Sequence, residues 1–286
     1  MRKLVVSVAQ FASGPSNMDT AEGLVREAAK GGANIVLLQE LFETLYFCQT
    51  EDGTQFANAT TLEDNQAVKR FKSVAQELGI VIPVSFFERR NNAFFNAIAI
   101  IDADGKNLGV YRKSHIPDGA GYREKYYFSP GRTGFEVWDT AFCRLGCGVC
   151  WDQWYPEAPR IFALKGAEVL LYPTAIGSEP KNPTLDSLKH WRAVMQGHAA
   201  ANMIPLAASN RIGVERASDG SSQISFYGSS FIADIHGQVA AELGRHETGV
   251  ALASFDLDEL RHERACWGLF RDRRPDLYEE ILSLDG

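Results

Sequence analysis

The chain has 286 residues, 45% of them hydrophobic and 23% charged, with a formal net charge of −7. This composition fits a soluble globular protein, the acidic balance argues against the basic stripe that nucleic-acid binding needs, and no apolar run approaches the roughly 20 residues of a membrane span. The five cysteines (Cys48, Cys143, Cys147, Cys150, Cys266) are odd in number and irregularly spaced, which points to free thiols in a reducing compartment rather than a disulfide framework.

The opening MRKLVVSVAQF resembles a signal peptide only superficially: Ser7 and Gln10 interrupt a short apolar run, and no small-residue cleavage site follows. Residues 4–9 therefore read as the first strand of a cytoplasmic protein. A helix is predicted over 18–31, a strand over 34–38 and a second helix over 65–78. Strands follow at 80–87, 95–101, 107–112 and 143–149, then a helix at 157–165 and a strand at 168–172. The next helix is predicted over 184–200, with Asn182 and Pro183 as cap and first turn. Its Leu185, Leu188, Trp191, Met195 and Ala199 fall near one face at helical spacing. Strands at 204–208, 227–233 and 249–255 complete the chain.

Alternating strands and helices favour α/β layers. No low-complexity linker divides the sequence, so residues 1–286 are expected to form one domain. Two stretches echo each other: GGANIVLLQ at 31–39 resembles KGAEVLLYP at 165–173, and IIDADG at 100–105 resembles IADIHG at 232–237. The echoes suggest two similar half-sheets packed together.

The richest segment is LGCGVCWDQWYPE at 145–157, which places Cys150 between a strand and a compact bend before Pro156. A thiol at such a junction can sit near backbone N–H groups that favour thiolate or oxyanion. Three readings compete. Cys143, Cys147 and Cys150 match the C-x3-C-x2-C spacing of an iron–sulfur loop, but period 2 would send Cys147 and Cys150 to opposite faces of a strand. CGVCW differs from the papain-type C-G-[SA]-C-[WY] only at Val149, yet no protease-like histidine motif follows. The third reading needs a carboxylate and a cation. Glu40 ends the apolar run NIVLLQ, where a carboxylate is expensive unless used, and Lys113 ends LGVYRK before a turn. Such strand ends converge on one rim of an α/β sheet.

LQELFE around Glu40, YRKSHIPDG around Lys113 and GVCWDQWYPE around Cys150 together resemble the three signatures of the nitrilase (carbon–nitrogen hydrolase) superfamily. GYREKYYFSPG, TAIGSEP, DSLKHW, VMQGHAAAN, ASNRIG and FYGSSFIAD are similar to its N-carbamoylputrescine amidase branch, over nearly all of residues 4–275. The resemblance implies a four-layer αββα sandwich, a site at one end of two sheets, and a homo-oligomer built on an αββα–αββα interface. It implies neither metal nor organic cofactor. It assigns Cys150 as nucleophile, Glu40 as general base and acid, Lys113 as oxyanion stabiliser aided by the Trp151 N–H, and Glu124 as the group orienting substrate and water. The implied reaction hydrolyses N-carbamoylputrescine to putrescine, carbon dioxide and ammonia. Another carbamoyl amine or amino acid, or an ω-amide, is the alternative substrate, and a silent amine-binding scaffold is the alternative class.

The substrate's distal ammonium calls for a carboxylate or an aromatic face. Glu179 is the first candidate, followed by Asp118 and Trp154. The chemistry does not need His115, His190 or His198, which read as turn or packing residues, and Cys147 reads as a small buried side chain. Cys48 and Cys266 receive no role. Two positions depart from the branch pattern: Leu45, where proline is common, and Arg132, where an acidic residue is usual.

Overall fold

A computed structural model describes residues 1–182 and 184–285. In chain order it comprises β1 (Lys3–Gln10), α1 (Asn17–Lys30), β2 (Ile35–Leu37), α2 (Gln66–Leu78), β3 (Ile82–Arg90), β4 (Ala93–Ile101) and β5 (Asn107–Arg112). There follow α3 (Glu124–Tyr127), β6 (Val137–Asp139), β7 (Arg144–Cys147), α4 (Glu157–Leu164), β8 (Val169–Pro173), α5 (Leu188–Asn202) and β9 (Leu206–Ser209). The rest is β10 (Ile212–Arg216), β11 (Gln223–Tyr227), β12 (Phe231–Ala233), β13 (Val239–Glu242), β14 (Gly249–Asp256) and α6 (Leu257–Trp267). Among the described residues no helix is long and apolar enough to cross a membrane.

Twelve of the strands build the two sheets of the sandwich, and β10 and β11 pair as a separate antiparallel hairpin. One runs β14-β1-β2, with β1 antiparallel to β14 and parallel to β2; a parallel bridge from Ile35 to Val81 continues it to the antiparallel ribbon β3-β4-β5. The other runs β13-β12-β9-β8-β7-β6, parallel at its centre and antiparallel at both edges. The echoing segments GGANIVLLQ and KGAEVLLYP lead into β2 and β8, which hold corresponding inner places in the two sheets.

Strand periodicity decides the layering. Ile35 and Leu37 on β2 face one core, Val36 and Leu38 the other. The same split separates Val169 and Leu171 from Leu170 and Tyr172 on β8. One set of residues fills the space between the sheets. The other sets meet α1 and α2 on one outer face, and α4 and α5 on the opposite one. Both faces of each central strand are thus buried, which is why these runs read as continuously apolar. The product is the expected αββα sandwich.

The helix predicted over 184–200 begins instead at Leu188, where Asp186 accepts the Leu188 N–H at 3.2 Å. Pro183 lies outside the described residues, and Leu185 is an exposed loop residue rather than part of the helix face. The strand predicted over 227–233 is two strands, because Gly228 (φ 51°) and Ser229 (φ 59°) turn the chain between β11 and β12. Helix α6 is mostly exposed, and neither it nor the β10–β11 hairpin falls within the elements predicted from the sequence. The strand predicted over 143–149 stops at Cys147, so period 2 does not extend to Cys150. Cys143, Cys147 and Cys150 all border the core between the sheets, and the described residues contain no cluster of three or more potential metal ligands.

Candidate active site

Cys150 opens a short 3-10 turn, Cys150–Trp154, directly after β7. Its φ of 42° is left-handed, a conformation a non-glycine residue holds only when its surroundings enforce it, and one that concentrates at functional sites. The approach is equally constrained. A Cβ on Gly148 would stand 2.7 Å from Cε1 of Tyr172, so only glycine lets the chain pass that ring.

Glu40 follows β2 and Lys113 follows β5, while Glu124 begins α3. The three side chains meet in a fully buried cluster. Lys113 Nζ donates to Glu40 Oε1 at 2.8 Å and to Glu124 Oε2 at 2.6 Å. Asn96 Nδ2 also donates to Glu40 Oε1, at 2.7 Å, and the Tyr46 hydroxyl donates to Glu124 Oε1 at 2.8 Å. Glu40 Oε2 is buried and accepts no hydrogen bond among the described residues. A desolvated acceptor without a partner is costly, and here it belongs to the carboxylate whose charge acts most on Cys150.

The electrostatics are mutual. Burial, then the negative charge of Glu40, push the Cys150 thiol well above its usual range; Lys113 and a hydrogen bond from the Ala175 N–H oppose them. Burial works against the charge on Lys113, but Glu124 and Glu40 together outweigh it and hold the amine protonated. Burial pushes Glu124 up, with Lys113 pulling it back. The resting site therefore holds a neutral thiol beside a permanent cation.

Cys150 and Glu124 line a cavity of about 400 Å³ whose walls include Asp118, Tyr122, Trp151, Trp154, Glu179 and His190. Every residue singled out from the sequence for catalysis or substrate binding thus lies in this cavity or, for Glu40 and Lys113, in the buried cluster with Glu124. Burial pushes the half-buried Glu179 carboxyl above its usual range, with no cation opposing it. Asp118 differs, since Arg123 Nη1 lies 3.4 Å from its Oδ1. Trp151 donates its indole N–H to the Tyr155 hydroxyl at 3.1 Å, and its own backbone N–H belongs to the first turn of a helix, where donors lack intrahelical acceptors.

Of the histidines set aside, His115 and His198 are engaged in packing. His115 stacks on Tyr155 with centroids 3.7 Å apart, and His198 Nε2 lies 2.8 Å from the Gln153 carbonyl. His190 does line the cavity, tilted against Trp154. Leu45 and Arg132 are exposed and absent from its walls. Sequence reasoning missed Asn96, Tyr46, Tyr122 and Arg211. Arg211 is fully buried and donates to the carbonyls of Glu40 at 2.6 Å and Leu41 at 3.1 Å, with Glu215 as its ion-pair partner at 2.9 Å. Arg211 and Glu215 stand four residues apart, but nothing in that spacing announces a contact with residue 40.

The family model described as carbon-nitrogen hydrolase matches residues 5–265. An N-carbamoylputrescine amidase of Arabidopsis thaliana is 56% identical, with 100% of this chain and 97% of that one covered. A citrullinase of Francisella tularensis is 53% identical, with 99% of each covered. Among solved structures, a carbon-nitrogen hydrolase from Helicobacter pylori G27 superposes with a TM-score of 0.93 at 38% identity, over 99% of this chain and 100% of that one.

Proposed function

Because the chain belongs to the carbon–nitrogen hydrolase family, we propose that it hydrolyses N-carbamoylputrescine to putrescine, carbon dioxide and ammonia. The observation that carries this reading is the pairing, in one cavity, of the Cys150 thiol with the uncompensated Glu179 carboxylate. A ureido group at the thiol leaves the distal ammonium of a linear diamine to meet that carboxylate between aromatic walls. The N-carbamoylputrescine amidase relative from Arabidopsis thaliana supports the same substrate.

Glu40 takes the thiol proton as sulfur attacks the ureido carbon, since a thiol this strongly raised has little thiolate of its own. Lys113 and the Trp151 N–H stabilise the tetrahedral oxyanion. Glu40 then gives its proton to the departing ammonia, leaving an S-carbamoyl enzyme. Water, oriented by Glu124 and deprotonated by Glu40, attacks the same carbon and expels the sulfur. The released carbamate breaks down to putrescine and carbon dioxide. One hard urea hydrolysis becomes two easier displacements.

Citrulline carries the same ureido group plus an α-carboxylate, and the citrullinase relative makes it the competing substrate. Asp118 and Glu124 in the described cavity walls are paired with Arg123 and Lys113, which leaves Glu179 as the carboxylate an α-carboxylate would meet and be repelled by. Ammonia release from N-carbamoylputrescine, citrulline, other carbamoyl amines and ω-amides tests the reading, with Cys150→Ser as control. The expected result is the highest kcat/KM on N-carbamoylputrescine and almost no turnover by Cys150→Ser. A higher kcat/KM on citrulline or an ω-amide would overturn the substrate; an active Cys150→Ser would overturn the mechanism.

A further inference from the structure

Asp152 is fully buried two residues beyond Cys150, and the chemistry above gives it no part. Its Oδ2 accepts the Val149 N–H at 3.0 Å and the Tyr111 hydroxyl at 2.7 Å. Its Oδ1 accepts the His115 N–H at 2.9 Å and lies 2.7 Å from His115 Nδ1. Val149 immediately precedes the nucleophile, and Tyr111 and His115 stand two residues to either side of Lys113. One carboxylate therefore fastens the turn that carries Cys150 to the segment that carries Lys113.

Those two segments come from different sheets, Cys150 from the end of β7 and Lys113 from the end of β5. Between the sheets lies mainly apolar packing, which is non-directional. Hydrogen bonds to a buried carboxylate have direction, and with two oxygens it has room for all four donors. The brace continues outward: His115 stacks on Tyr155, whose hydroxyl accepts the Trp151 indole N–H. The charges that act most on the thiol are those of Glu40, Lys113 and Glu124, so the contribution of Asp152 is geometric.

We infer that Asp152 is a positioning residue that sets the Cys150 sulfur against the Lys113 ammonium across the gap between the sheets. This rests on reading Cys150 as nucleophile and Lys113 as the cation for the oxyanion. Asparagine cannot replace it, because its amide nitrogen would turn a donor toward donors.

The test measures kcat, KM and the rate of iodoacetamide alkylation of Cys150, followed on its own peptide because Cys266 is exposed and would react as well. Assays run well below the melting temperature of each variant. Asp152→Asn is expected to lower kcat about a hundredfold, the scale of a 1 Å misplacement, while KM stays within about threefold because the distal contacts are untouched. Alkylation should slow in parallel. Tyr111→Phe removes one of the four bonds and should lower kcat about fivefold, a fraction of the full effect. A folded Asp152→Asn with the kcat and alkylation rate of the parent would overturn the inference. So would a kcat loss that vanishes on cooling, which marks simple destabilisation. Should Asp152→Asn fail to fold, Tyr111→Phe decides, and parental kcat in that folded variant overturns the inference. Cys150→Ser run alongside separates the two readings: its activity would sink the nucleophile assignment, whereas its inactivity beside a normal Asp152→Asn sinks only the role of Asp152.

Discussion

Under the proposed function, Glu179 is the side chain that would decide which end of the substrate is recognised. Its carboxyl is raised by burial with nothing in the resting site to offset it, so an arriving ammonium would relieve a cost already present. Glu179→Gln keeps the size and removes the charge. Its KM for N-carbamoylputrescine should rise about tenfold with little change in kcat, given the 1.5–3 kcal/mol typical of hydrogen bonds to charged groups; an unchanged KM would remove Glu179 from recognition. The pH dependence has a definite sign. The carboxylate must be ionised to hold a cation, so KM should climb as pH falls through the raised carboxyl pKa and level off above it. That acid-side climb should be missing from Glu179→Gln.

At the scale of elements, helix ends are set by capping contacts that periodicity alone does not locate. Helix α2 lies almost where its periodicity puts it, because Asn65 accepts the Val68 N–H at 2.8 Å and Gly79 closes the last turn at φ 65°. Asn65 also donates to Glu43, at 3.0 Å and 3.2 Å, tying the helix start to the loop after Glu40. Asn65→Ala should therefore destabilise the fold by about 1–2 kcal/mol, the upper range for loss of a cap. Chemical denaturation checks this, and a change below about 0.5 kcal/mol would show the cap to be idle. The helix predicted over 184–200 starts ahead of α5 because loop residues before it, including Leu185, continue its apolar spacing. Leu185 is instead used by the cavity wall.

Across the whole molecule, Glu168 joins parts distant in sequence. Arg2 from the start of the chain reaches it at 2.6 Å, Arg261 on α6 at 2.9 Å, and the Arg144 N–H on β7 at 3.0 Å. Burial alone would raise its carboxyl, but these donors outweigh that and hold it down at about 2, against an ordinary 4.5. A depressed folded-state value adds stability that is complete above about pH 4.5 and is lost as pH falls toward about 2. Glu168→Gln should lower the melting temperature at pH 7, and the gap to the parent should narrow between pH 4.5 and pH 3. A gap of constant size would show that the charge of Glu168 plays no part.

The sequence by itself determined the layers and the chemistry. Alternating strand-like and helical runs point to α/β layers, and the motifs around Glu40, Lys113 and Cys150 resemble one family closely enough to imply both the four-layer sandwich and the chemistry. Only the tertiary structure decided how those residues meet. The Glu40–Lys113–Glu124 cluster joins three separate strand or helix ends, the free oxygen on Glu40 is visible only once its neighbours are packed, and Arg211 reaches residue 40 from 171 positions away. Asp152 makes the same point most plainly. In sequence it is one more polar residue in a turn, and only the meeting of two sheets gives its four donors. Local pattern reports what a residue's own segment prefers; a long-range hydrogen bond depends on where another segment arrives, and no local preference encodes that.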